Sequence, residues 1–153
     1  WRPYHAELSR QLAVAHDTHG QAVLIDCHSM PHEAVDGIAR AGARRPQIVL
    51  GDRFGASAAP EIVDRIEAAF AAAGLTVVRN APFAGAYVAQ HYGRPSRHQH
   101  VVQVEIDRAI YMDERTVRPN ADFHPFRRVL RGIVAEIAAL GGGGREALPL
   151  AAE

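Results

Sequence analysis

"HVVQVEIDR", residues 100–108, is the stretch on which the fold turns. Its residues alternate: Val102, Val104 and Ile106 point one way, Gln103, Glu105 and Asp107 the other. A period of two predicts a strand with one apolar and one polar face. Three shorter runs read as further strands. "AVLI" at 22–25 is continuously apolar and is expected to be buried on both faces. "PQIVLGD" at 46–52 and "LTVVRN" at 75–80 follow the same pattern. Helical sequence separates them. Residues 3–19 repeat Leu8, Leu12 and Ala15 at helical spacing and stop at Gly20. Residues 60–73 open on Pro60, line up Ile62, Ile66, Ala69 and Phe70, and stop at Gly74. A last helix is predicted over 122–140. The segment 31–45 is ambiguous, because Pro31 and Gly37 favour loop while Ile38 to Arg45 could hold a turn. Residues 81–98 are loop-rich with one helical turn near Tyr87 to His91. Strands alternating with helices predict an α/β domain over residues 1–140, its mostly parallel sheet covered on both faces. "GGGGREALPLAAE", 141–153, reads as a flexible tail.

Composition narrows the function classes. At 153 residues the chain is long enough for one domain with a real core. A formal net charge of +0 excludes a broad basic face for nucleic acid. All 17 basic residues are Arg, so Schiff-base and phosphate-loop lysines are out of consideration. Cys27 is the single cysteine; no intrachain disulfide forms, and a reducing, cytoplasmic compartment is expected. No apolar run approaches the roughly 20 residues that cross a bilayer, so no membrane partner is expected. The chain opens on "WRPYHAELSR", without an initiator Met and without the pattern of a signal peptide. A chain trimmed or cut from something longer is therefore expected.

Candidate chemistry centres on "VLIDCHSMP", residues 23–31. His28 sits at the expected end of a strand, a rigid mount for a metal-ligating imidazole. Taken alone, spacing favours the plainer reading of a histidine hydrogen-bonded under a loop. His28 and His32 are four apart, but Pro31 between them disfavours the helix that would bring them together. His98 and His100 read as a loop entering a strand. Cys27 points to the opposite strand face from His28 and reads as a small buried apolar residue rather than a nucleophile. Ser29 lacks the glycine elbow of a serine hydrolase.

Glu105 carries two readings of equal weight. Inside a strand it is exposed to desolvation, which raises a carboxyl pKa and suits proton transfer. Alternatively it lies on a solvated face or pairs with an Arg such as Arg108. In the loops, Gly85 permits close backbone approach to a ligand. Arg94 lies between Gly93 and Pro95, where a constrained guanidinium would suit a substrate carboxylate.

Five blocks, in order, resemble the N-formylglutamate amidohydrolase (N-formylglutamate deformylase) family. They are "YHAEL" at 4–8, "LIDCHSMP" at 24–31, "LGDRFGASAAP" at 50–60, "NAPFAGAYVAQHYGRP" at 80–95 and "HVVQVEIDRAIYMDE" at 100–114. The resemblance implies a zinc-carboxypeptidase-like, three-layer α/β/α sandwich around a mixed sheet, here lacking its N-terminal strands. It implies one zinc, and hydrolysis of N-formyl-L-glutamate to formate and glutamate at the end of a histidine-degradation route. It makes His28 a zinc ligand and Glu105 the carboxylate that activates water and passes its proton to the leaving nitrogen. Asn80, Gly85 and Arg94 fall in blocks that line the substrate site. One departure is Gly85-Ala86, where the family carries two glycines. Another is length: the family's N-terminal part, with the remaining zinc ligands and an Asn-Arg pair for the substrate carboxylate, is expected before residue 1. Two alternatives stand beside this reading: a hydrolase of other N-acyl amino acids or small peptides, and a metal-free, non-catalytic binding module.

Overall fold

The computed structural model describes residues 1–38 and 44–142. Helix α1 (Arg2–His19) has a proline in its first turn and ends on Gly20, whose left-handed φ of 74° places its N–H on the His16 carbonyl. Strand β1 (Ala22–Met30) follows, then a 3₁₀ turn at His32–Val35, strand β2 (Ile48–Gly51) and helix α2 (Pro60–Ala72). Strand β3 (Val77–Arg79), the short helix α3 (Tyr87–Tyr92) and strand β4 (Gln99–Asp107) come next. A two-residue ribbon, β5 (Met112–Asp113) with β6 (Arg118–Pro119), precedes helix α4 (Phe123–Ala138). The ambiguous 31–45 segment contains residues 39–43, and the predicted tail contains 143–153; both stretches lie outside the described residues.

The four main strands lie in the order β1-β4-β2-β3. β1 runs parallel to β4, and β2 runs parallel to β3, but β2 and β4 are antiparallel. The sheet is thus mostly parallel and mixed, as expected. Val102, Val104 and Ile106 face α2 and α4, and join Ile48, Leu50, Ile62, Ile66, Phe70, Phe126 and Ile133 in the main core. The apolar face predicted for α2 is the one it buries, and the last predicted helix is α4, which buries Phe126, Ile133 and Ile137.

The opposite sheet face is covered in two separate places. Near the start of β1 and β4, Leu12 of α1 and Ala89 and Tyr92 of α3 pack on Ala22 and Val101. Near their far ends, Met30, Val35 and Val49 form a small cluster with Val78 and Phe83. Between these two patches the sheet presents polar side chains. This gap positions the site.

Two expectations are corrected. β1 is not buried on both faces: it is an edge strand with no partner on its outer side among the described residues, and Val23, Leu24 and Ile25 are half-buried. Nor does it end before Asp26. Nine consecutive pairings with β4 carry it through Cys27 and His28 to Met30. Among the described residues, no helix is long and apolar enough to cross a membrane.

Candidate active site

Residues paired across adjacent strands project to the same face. The register pairs His28 with Glu105 and Asp26 with Gln103, so these four share the gap between the two apolar patches. Asp26 and His28 belong to the free edge strand, while Gln103 and Glu105 belong to the central one. That difference sets their exposure. Gln103 and Glu105 are 4% and 7% exposed, whereas the His28 side chain is 45% exposed and that of Asp26 is 17%. The face read as polar from the sequence is therefore buried at β4, and Glu105 is not on a solvated surface.

Burial pushes the Glu105 carboxyl above the ordinary carboxylate range. The His28 imidazole, the Gln103 hydrogen bond and the Arg108 guanidinium each pull it back, and Asp26 adds to the rise; burial wins. Arg108 is not the close partner that one reading supposed. Its Nε and Nη2 donate to Oγ and the carbonyl of Ser29 at 3.1 Å. The result is a carboxylate in a dry setting, disposed to hold and release a proton.

His28 Nε2 lies 3.1 Å from Asp26 Oδ2. This is the usual arrangement behind a metal-ligating histidine, whose second nitrogen is held by a carboxylate. The chemistry of this pair therefore suits one ligand of a zinc ion. It does not make a whole site, because a catalytic zinc takes three protein ligands. Among the described residues there is no group of three His, Cys, Asp or Glu able to hold a metal.

The other histidines are occupied elsewhere. His32 Nδ1 is 2.8 Å from Asp107 Oδ2, beyond the apolar patch. His100 is buried within β4, where its Nδ1 accepts from the Ala59 N–H at 3.2 Å. Burial lowers its pKa, so it stays neutral. Only His98 is the loop residue expected. Cys27 does face away from His28, alongside Val23, Ile25 and the α4 residues Val134 and Ile137. It is exposed rather than buried, because its strand is an edge. Partial burial and the Asp26 carboxylate push its thiol up, the opposite of an activated nucleophile.

The loop between β3 and α3 closes one side of the gap. Ala86 N–H donates to Gln103 Oε1 at 2.8 Å. Arg53 N–H donates to the Ala84 carbonyl at 2.7 Å. Asn80 clamps the base of the loop: its Oδ1 accepts from the Asp52 and Phe54 N–H groups at 3.1 and 3.3 Å, and its Nδ2 donates to Asp52 Oδ1 at 2.5 Å. Gly85, at φ 108°, lies against Gly51. The structure thus gathers His28, Glu105 and Gly85 about one gap, with Asn80 as the fastening behind it. It does not bring Arg94 there. Arg94 bridges to Gln99, six residues before Glu105 along β4, or about 20 Å at strand rise. Its guanidinium donates to the carbonyls of Gln90 and Gly93.

Gly51 was not singled out by the sequence, yet the loop depends on it. A Cβ there would sit 2.6 Å from Gly85 N and 2.7 Å from the Ala84 carbonyl carbon, both backbone atoms unable to yield. Gly51→Ala is expected to destabilise the fold by about 2 kcal/mol, the middle of the range for overpacking. Urea unfolding monitored by circular dichroism checks this; an unchanged midpoint would show that the loop does not bear on Gly51.

The model of the N-formylglutamate amidohydrolase family matches residues 1–112. The chain belongs to the N-formylglutamate amidohydrolase family. It is 37% identical over 142 residues to an N-formylglutamate deformylase of Pseudomonas aeruginosa, covering 90% of this chain and 50% of that protein. It is 38% identical over 119 residues to an N-formylglutamate deformylase of Pseudomonas putida, covering 74% and 42%. The crystal structure of N-formylglutamate amidohydrolase from Ralstonia eutropha JMP134 superposes with a TM-score of 0.79 at 30% identity, over 96% of this chain and 52% of that one. The chain spans about half the length of these family relatives. The family match includes α1, β1, β2, β3 and β4, and with them every residue of the gap.

Proposed function

We propose that the protein to which these residues belong hydrolyses N-formyl-L-glutamate to formate and glutamate. The observation that carries the reading is the in-register pair His28–Glu105, on one sheet face, within a chain of this family. Glu105 takes a proton from the attacking water and delivers it to the departing amide nitrogen. Burial raises its pKa above the ordinary carboxylate range, which favours this double task. His28, held by Asp26, is one ligand of a zinc ion whose other ligands are not among the described residues. Zinc, when bound, supplies charge stabilisation to the carbonyl oxygen and lowers the pKa of water. Gly85 presents backbone to the substrate, and Asn80 holds the loop that carries it. Arg94, bridged to Gln99 at the start of β4, is given no part in this reading.

The family names favour formylglutamate over other acylated amino acids, and the test is direct. In the whole protein, formate release from N-formylglutamate is expected to exceed deacylation of N-acetylglutamate, N-formylmethionine and small acidic peptides by at least about tenfold in kcat/KM, equivalent to about 1.4 kcal/mol of transition-state discrimination. A better rate on one of the others would reassign the substrate. No turnover on any of them would favour the non-catalytic module.

A further inference from the structure

Gln103 is the one buried side chain of the gap to which neither the sequence nor the reaction assigns a role. It is 4% exposed and hydrogen-bonded at both ends of its amide. From this we infer that Gln103 is a positioning residue, which ties the 81–86 loop to the reactive carboxylate and fixes which oxygen of Glu105 handles the proton. The inference rests on the role proposed above for Glu105.

The Ala86 N–H sets the orientation of the Gln103 amide. A backbone N–H can only donate, so the amide atom 2.8 Å from it must be the Gln103 oxygen. The amide cannot then be flipped. Its nitrogen is forced toward Glu105, where Nε2 donates to Oε1 at 2.9 Å. An amide N–H needs an acceptor, so this Glu105 oxygen is engaged as one. The second oxygen is left to exchange the proton with water and substrate. Spacing along β4 makes this economical, since residues 103 and 105 are next neighbours on the same face. Gln103 also shares its face with Asp26, its register partner, so the amide lies within the same row as His28's carboxylate support.

The far end of the chain of hydrogen bonds is fastened just as firmly. Ala86 follows Gly85, which packs on Gly51, and the loop base is held by Asn80 and Asp52. The segment that faces the substrate therefore also sets the orientation of the carboxylate. Ala86 contributes its N–H to Gln103, and its carbonyl accepts from Gln90 N–H in the first turn of α3.

A merely structural Gln103 would only satisfy the Ala86 N–H. Two substitutions in the whole protein separate the roles. Gln103→Met keeps the volume and removes both hydrogen bonds; Gln103→Glu keeps an acceptor for Ala86 but replaces the neutral amide donor with a carboxyl that competes with Glu105 for its proton. Both are expected to lower kcat for N-formylglutamate about 10- to 100-fold with KM within twofold. Placed on Glu105→Gln, either is expected to change the residual rate less than twofold, because a group acting through Glu105 has nothing left to act through. Wild-type kcat in Gln103→Glu would overturn the inference, as would a loss confined to KM or a full multiplicative loss on Glu105→Gln. If Gln103→Met fails to fold, Gln103→Glu alone decides. Full activity of Glu105→Gln itself would instead overturn the reading of the site, whatever Gln103 does.

Discussion

Glu105→Gln in the whole protein is expected to lower kcat for N-formylglutamate about a thousandfold, to leave KM within about twofold, and not to lower the melting temperature. The rate loss follows from the size of general acid–base contributions, about 10²- to 10⁴-fold. A thousandfold corresponds to about 4 kcal/mol of transition-state stabilisation. The stability expectation is the more unusual part. Glutamine has the shape of glutamate, and its carbonyl oxygen can still accept from Gln103 Nε2, which now donates at 2.9 Å. The carboxyl's pKa is raised by burial in the folded chain. A carboxyl with a raised folded pKa disfavours the fold above its unfolded value, around pH 4, because the folded state resists the charge. At neutral pH, removing that charge relieves a penalty rather than a bond. Inactive protein with an unchanged or higher melting temperature is therefore the signature of a group kept for chemistry. Turnover within tenfold of wild type would remove Glu105 from the mechanism, and a large drop in melting temperature would make it a structural residue.

What the sequence disclosed, and what it hid, follows from how local each feature is. β4 was legible because alternation of Val102, Val104 and Ile106 with polar residues is a property of the strand itself. The amphipathic helix α2 was legible for the same reason. The burial of Gln103 and Glu105 was not, because it is imposed by β1 on one side and by the 81–86 loop on the other. The full length of β1 is hidden for a similar reason: Asp26, Cys27 and His28 look like the end of a strand, but pairing with β4 outweighs their weak strand preference. Nor is its exposure legible, since a continuous apolar run carries no mark of being at an edge. Arg94 illustrates the limit of local geometry. A Gly-Arg-Pro turn does constrain it, but only the topology shows that it is held at the start of β4 rather than beside Glu105. Gln103 lay within reach, since it was seen to share Glu105's face. What was not visible was the Ala86 N–H, brought to it from 17 residues away.

His28→Ala is expected to be the second large effect, and it separates metal binding from folding. In the whole protein it should strip zinc below a tenth of an equivalent after dialysis, and reduce turnover by at least a thousandfold. The fold should survive. His28 lies half-exposed on an edge strand, with its Nε2 3.1 Å from Asp26 Oδ2. An exposed ion-pair-like contact of this kind contributes at most about 1 kcal/mol. Circular dichroism and melting are therefore expected to stay near wild type while metal analysis changes. The same logic bears on these 153 residues by themselves. They present one imidazole suited to zinc and, among the described residues, no group of three ligands. Chain 1–153 alone is expected to retain zinc only weakly, and stoichiometric tight zinc on it would mean that His28 finds its fellow ligands within this chain. Zinc content and turnover that both survive His28→Ala would remove the imidazole from the metal site. Zinc lost with turnover intact would show that the hydrolysis does not need the metal, leaving Glu105 to carry the chemistry.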